Sequence, residues 1–292
     1  MAFAALFLAA LVSAGNFLAG HLAVREIPAD ILTFWRTFIA VLVMLPLAAR
    51  KGADLWAHFR RDPARIVVLS LVGVVAPPLF IYLGLASNKL VDLSIGFSTI
   101  PLMTLLLSAL LLGERMSRLQ YLGVLVAFLG SLVLAVHGDP ARLVGLDLHV
   151  PFLWVLACAF SRSLYLVLLK RWDMGNVRGE GFLLPLLIAP LVLFPGFLHH
   201  AVTDTHPFAY SGALWASILY VGLGMGVLYQ YLLTFGPRYL GASRFSLYTY
   251  LVPVLVTLES FLFLNAEFHA YQAVGGLLVL GGVFMVTRRL SA

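Results

Sequence analysis

The sequence predicts an all-α integral membrane protein whose ten transmembrane helices form two inverted five-helix repeats. Three observations lead there. Of 292 residues, 62% are hydrophobic and 11% charged, against about half and about a quarter in soluble domains. The apolar residues gather into runs close to the length of about 20 that a bilayer-spanning helix needs. A pattern of glycine, proline, serine and glutamine also recurs when the third to fifth runs are laid on the eighth to tenth.

Polar interruptions divide the chain into spans near 2–22, 29–49, 64–86, 92–112, 119–136, 150–169, 181–199, 212–235, 243–264 and 270–287. Each is expected to be helical, because backbone exposed to lipid must satisfy its own hydrogen bonds and the runs lack the alternation of a barrel strand. The longest polar stretches, 50–65 and 203–211, leave no room for a soluble catalytic domain. The first run has no basic leader and no clear cleavage site, which is the pattern of a retained span.

With the N-terminus inside, fourteen of the 19 Lys and Arg residues fall on the cytoplasmic side and three, Arg25, Lys89 and Arg142, outside. Arg36 and Arg162 lie within spans. That bias puts both termini in the cytoplasm, and the net charge of +6 reads as an orientation signal rather than a nucleic-acid surface. The single cysteine, Cys158, sits in an apolar run and excludes an intrachain disulfide.

The repeat rests on the pairs Gly84/Gly236, Ser94/Ser246, Pro101/Pro253, Ser108/Ser260, Gln120/Gln272, Gly123/Gly275 and Gly130/Gly282. It divides the chain into 1–140 and 141–292. Each half has an odd number of spans, so the second enters the bilayer in the opposite sense. Two copies related by an axis in the membrane plane supply two nearly equivalent arrangements, which is what alternating access requires.

Polar residues inside spans mark where a solute would sit. In the fourth span Ser94, Ser98, Pro101, Leu105 and Ser108 share one helix face, and Ser246, Tyr250, Pro253, Thr257 and Ser260 do so in the ninth. Either the stripes line a path or their small residues let helices approach closely. The third span carries Pro77-Pro78 and then Tyr82; the eighth carries Gly222, Gly224 and Gly226 and then Tyr229 and Gln230. Helix-weakening clusters at matched positions point to a midplane site or hinge, with close packing as the other reading of the glycines. Asn16 in the first span and Ser161, Arg162, Ser163 and Tyr165 in the sixth complete the buried polar groups. The candidate substrate-binding set is therefore Asn16, Tyr82, Ser98, Pro101, Ser163, Tyr165, Tyr229, Gln230, Tyr250 and Pro253.

Arg162 is costly in mid-span. It either pairs with helix carbonyls or Glu259, or attracts a substrate carboxylate. Arg36 is expected nearer the outer interface, snorkelling or clamping loop carbonyls. For Glu259, proton coupling and plain pairing both stay open.

Several of these residues resemble a known pattern: Pro101, then Leu112-Gly113-Glu114-Arg115, Gln120-Tyr121-Leu122-Gly123 and Gly130, with a second copy in Pro253, Leu264, Glu267, Gln272, Gly275 and Gly282. Ala14-Gly15-Asn16-Phe17 and Trp35-Arg36 add to it. Nearly end to end, the chain resembles the EamA branch of the drug/metabolite transporter (DMT) superfamily, and looks most like bacterial YddG-type amino-acid exporters. It departs from the pattern in Asn265-Ala266-Glu267, where Gly-Glu is typical, and in Ser13, where a tryptophan is usual. The resemblance implies ten helices around a central cavity formed by the first, third, fourth, sixth, eighth and ninth spans. It also implies a multi-pass protein of the bacterial inner membrane that exports neutral or aromatic amino acids and related metabolites by alternating access. The expected partners are that small-molecule substrate and the lipid bilayer, with a monomer sufficient and no nucleic acid, metal or cofactor involved. Nothing resembles an ATP-binding loop, GxSxG or HExxH, so transport is expected to be passive or gradient-driven and the protein not an enzyme. A carrier of another solute class, such as a drug, cation or nucleoside, is the alternative; a channel or an intramembrane enzyme ranks below it.

Overall fold

The computed structural model describes residues 2–86, 96–114, 117–141, 150–174, 180–203, 210–255 and 269–287. Among them every regular element is helical. The helices follow the apolar runs: α1 is Ala2–Ala23, α2 Ala29–Arg50, α3 Pro63–Leu85, α4 Ile100–Leu112 and α5 Arg118–Ala135. In the second half, α6 is Val150–Arg171, α7 Glu180–Thr203 and α10 Ala270–Thr287. Between them α8 passes through Gly212–Tyr220, Val221–Tyr229 and Gln230–Leu240, and α9 comprises residues 248–255. Six described helices, α2, α3, α5, α6, α7 and α8, are long and apolar enough to cross a membrane. A short helix, Gly52–Arg61, lies in the polar stretch after α2, and a single turn, Ala242–Phe245, precedes α9.

The burial pattern is that of a protein whose solvent is lipid. Leu110 is 70% exposed and Leu277 72%, while Arg36 is 2% and Arg162 5% exposed. Apolar side chains gain nothing by leaving hydrocarbon, so the polar ones occupy the interior, where other helices can bond them.

Two helices leave α geometry at matched places. In α3, Ser70–Val75 is π-helical, and Pro77 and Pro78 follow at once. Because the Ala76 N–H is taken by the Leu71 carbonyl and neither proline has an N–H, the carbonyls of Val72 and Gly73 have no donor in their own helix. The α6 side chains supply one to each: the Ser161 hydroxyl donates to the Val72 carbonyl at 2.9 Å and the Arg162 guanidinium to the Gly73 carbonyl at 3.3 Å. In α8 the π segment is Val221–Tyr229, carrying Gly222, Gly224 and Gly226. There the Arg36 guanidinium of α2 donates to the Met225 carbonyl at 3.2 Å. Gly226 lets α2 come this close, since a Cβ on it would lie 2.8 Å from the Arg36 carbonyl oxygen. Arg36 thus serves a helix carbonyl rather than a loop carbonyl, because the register of α2 against the α8 π segment brings Met225 within its reach.

Packing between the halves is reciprocal. α1 and α2 pack on α8, while α6 and α7 pack on α3. Among the described residues the most extensive helix pair is α5 with α10. A Cβ on Gly123 would meet the Gly282 carbonyl at 2.8 Å, and one on Gly130 the Gly275 carbonyl at 2.7 Å. As the position rises along α5 it falls along α10, so these two helices run antiparallel, with backbones in contact at the glycines. The Gln120 amide donates to the Val286 carbonyl in the same register.

At the end of α4, Gly113 takes φ +64 and stops the helix. Glu114 then pairs with Lys170 at the end of α6 and accepts from the Ser243 hydroxyl at 3.1 Å, tying α4, α6 and the turn before α9 together.

Candidate functional site

Beside the prolines of α3 and the π segment of α8 the bundle leaves a cavity of about 20 Å³, room for roughly one water. Ser13, Asn16 and Phe17 reach it from α1, Arg36 from α2, and Pro77, Pro78 and Ile81 from α3. Phe97 lines it just ahead of α4, Cys158 and Arg162 from α6, and Met225 and Tyr229 from α8. Helices of both halves therefore meet at one small space, and the prolines and arginines that disturb and repair the helices are the same residues that line it.

Its chemistry is uneven. Two guanidinium groups face it, and among the described lining residues there is no carboxylate. The Arg162 guanidinium also lies over the Tyr229 ring, 5.4 Å from its centroid, a cation–π arrangement that steadies a buried cation. The Tyr229 hydroxyl is bonded to that of Tyr248. Ser13 and Asn16 add neutral polar groups, and the remaining wall is apolar, with Phe17 and Phe97 in edge-to-face contact at 5.3 Å.

Of the sequence candidates, Asn16 and Tyr229 line the cavity. Tyr82 stands directly behind it, donating its hydroxyl to Asn16 Oδ1 at 3.0 Å. Tyr165 and Gln230 form a layer further back: the Gln230 amide donates to the Tyr165 hydroxyl at 2.9 Å, and that hydroxyl meets Thr234 at 3.0 Å. Gln230 Oε1 is buried with no hydrogen-bond partner. Ser163 faces α4, donating to the Ile100 carbonyl and accepting from Thr104, both at 3.0 Å.

The described residues of the striped faces of the fourth and ninth spans lie elsewhere. Ser98 meets Ser131 of α5 at 2.6 Å. Pro101 occupies the first turn of α4, after a break at Thr99, where its missing N–H costs no intrahelical bond. Tyr250 is fully buried in a second apolar cluster with Val124 and Ala127 of α5 and Val279 of α10, its hydroxyl without a hydrogen-bond partner. Pro253 follows on the same helix and is partly buried. None of these four lines the cavity, because a helix wheel gives a shared face but not the neighbour that the face meets. Ser94, Thr257, Glu259, Ser260 and Glu267 lie outside the described residues. Sequence reasoning did not select Ser13, Phe17, Arg36, Phe97, Cys158 or Met225 for the site; Pro77-Pro78 and the glycines of α8 were its nearest signal.

A multi-pass helical membrane protein with a polar internal space between its halves is the class that fold and site define. The chain belongs to the EamA-like transporter family, whose model matches residues 1–136 and 150–288. It is 30% identical to a "Probable terminal-alkyne amino-acid exporter" of Streptantibioticus cattleyicolor, over 78% of this chain and 74% of that one. It is 24% identical to the "Uncharacterized transporter YyaM" of Bacillus subtilis, over 85% of this chain and 81% of the relative. The "Uncharacterized inner membrane transporter YicL" of Salmonella typhimurium is likewise 24% identical, over 88% and 84% of the two chains. A solved crystal structure superimposes with a TM-score of 0.76 over 100% of this chain and 99% of its own, at 24% identity, which speaks for the fold alone.

Proposed function

We propose that this membrane transporter exports neutral and aromatic amino acids and related small metabolites across a bacterial inner membrane by alternating access. In this reading residues 1–140 and 141–292 are inverted five-helix repeats, both termini are cytoplasmic, and one monomer is the working unit. The observation that carries it is the cavity at the junction of the halves, walled by α1, α2 and α3 on one side and α6 and α8 on the other. The reciprocal packing, the antiparallel α5–α10 pair and the two matches of the family model support the duplication. The aromatic lining, with Asn16, Tyr82 and Tyr229 at its polar edge, suits an apolar side chain with a polar head. Tyr165 and Gln230 would form the polar layer behind that edge, Ser163 would fasten α6 to α4, and Ser98, Pro101, Tyr250 and Pro253 would act through helix packing. The similarity to a relative named as an amino-acid exporter points to the same substrate class. The cavity has room for about one water, so passage of a solute would require the helices around it to separate.

Purified protein in proteoliposomes preloaded with unlabelled phenylalanine tests the reading. Labelled phenylalanine should accumulate transiently and saturably, since only a carrier exchanges label against substrate on the far side. Exchange of nucleosides or polyamines with no amino acid would assign another solute class, and linear flux indifferent to the far side would make the protein a channel.

A further inference from the structure

We infer that Arg36 and Arg162 together receive a carboxylate of the transported molecule, so that the anionic end, not the ammonium, is what the site recognises. This rests on the reading of the cavity as the transport site. Both side chains are buried and line one space, and among the described lining residues none is acidic. Two cations held this way without a counter-charge are unfavourable. The bonds to the carbonyls of Gly73 and Met225, at 3.3 and 3.2 Å, are long for charge-assisted ones and take one N–H group each, and Arg36 also bonds the Tyr82 hydroxyl, which leaves donors over on both groups, since a guanidinium offers five. A carboxylate entering the cavity supplies the missing charge and takes two or more of the remaining donors.

The geometry also joins recognition to both halves of the protein. Arg36 stands on α2 and bonds α8; Arg162 stands on α6 and bonds α3. The two bonded residues, Gly73 and Met225, lie in the two π segments. An anion held by both guanidinium groups draws on the same two side chains that serve the two helix interruptions, so its binding is felt at both. An amine meets two like charges and gains nothing. Phe17, Ile81, Phe97 and Met225 make much of the remaining wall apolar, with Ser13 and Asn16 as neutral polar groups, so the ligand class is a small carboxylate with an apolar or aromatic body.

The test is the thermal stability of the purified, detergent-solubilised protein with phenylacetate, phenylalanine, phenethylamine or benzyl alcohol added. Phenylacetate and phenylalanine should raise the melting temperature in a saturable way, and phenethylamine and benzyl alcohol should leave it unchanged. In Arg162→Lys, which keeps the charge and loses the planar fork, the concentration of phenylacetate for half the effect should rise about ten-fold or more. Arg36→Gln should abolish the shift. Should either arginine variant fail to fold, the four-ligand comparison on the native protein decides alone. Stabilisation by phenethylamine equal to that by phenylacetate, or none by either carboxylate, overturns the inference. If phenylalanine exchanges in proteoliposomes yet neither carboxylate stabilises the protein, the clamp is wrong and the carrier reading stands. If phenylacetate stabilises through the arginines while no amino acid exchanges, the clamp stands and the amino-acid assignment falls.

Discussion

Two adjacent glycines on α10 give the sharpest test of how the halves meet. A Cβ placed on Gly282 would lie 2.5 Å from the Gly123 carbonyl oxygen and from the Ala127 nitrogen, and 2.7 Å from the Ala127 Cβ. Those are backbone atoms and a methyl group of α5, so no rotamer change relieves the clash and the helices themselves must separate. Overpacking of this kind costs about 1–3 kcal/mol. At about 2 kcal/mol the melting temperature falls by roughly 3 °C for a protein of this size. A Cβ on Gly281 meets nothing within 4 Å. Gly281→Ala removes a helix-weakening glycine at no steric cost, for a gain of up to about 1 kcal/mol. Melting curves of the purified variants in detergent should therefore rank Gly281→Ala at or above the native protein and Gly282→Ala clearly below it. Equal melting temperatures for the two, or the reverse order, would refute the antiparallel glycine contact and with it the strongest support for the inverted repeat.

Three further outcomes follow from the same geometry. Ser161→Ala leaves the Val72 carbonyl without a donor and should cost about 1 kcal/mol; in a Pro77→Ala background, which restores a backbone N–H, the loss should shrink, and additive costs in a thermal double-mutant cycle would contradict this origin of the π segment. Gly73→Ala drives a methyl group into the Tyr165 ring and should yield little folded protein by size-exclusion chromatography, with Gly73→Ala/Tyr165→Ala recovering part of it; no recovery would count against this contact. Glu114→Gln breaks a partly exposed pair, with Lys170 40% exposed, so chemical denaturation should show a change of about 1 kcal/mol or less, and a larger loss would mean that the pair is more deeply desolvated than it stands here.

How much of this was legible before the structure varies by level. Span positions follow from hydropathy, because lipid exposure forces whole runs to be apolar, and α1, α2 and α7 fall close to the runs that composition marks out. The interruptions in α3 and α8 were legible too: prolines without N–H groups and closely spaced glycines weaken a helix wherever it sits. The partners of those interruptions were not. That Arg162 serves Gly73 and Arg36 serves Met225 depends on contacts between halves more than eighty residues apart, and no periodicity within one helix encodes them. The stripe through Ser98 illustrates the same limit, since its face is real but meets Ser131. Phe97, Cys158 and Met225 carry no signal at all, being ordinary apolar residues until the fold turns them toward the cavity.

The chain's only cysteine lines the cavity, buried, beside the two arginines. Cys158 is thus a native reporter, and its modification by a membrane-impermeant thiol reagent in right-side-out and inside-out vesicles reads whether that space opens to each side in turn. Slow labelling from both faces, suppressed by phenylalanine, is the expected result. A thiol reachable from one face only, or from neither under any condition, would contradict alternating access through this cavity.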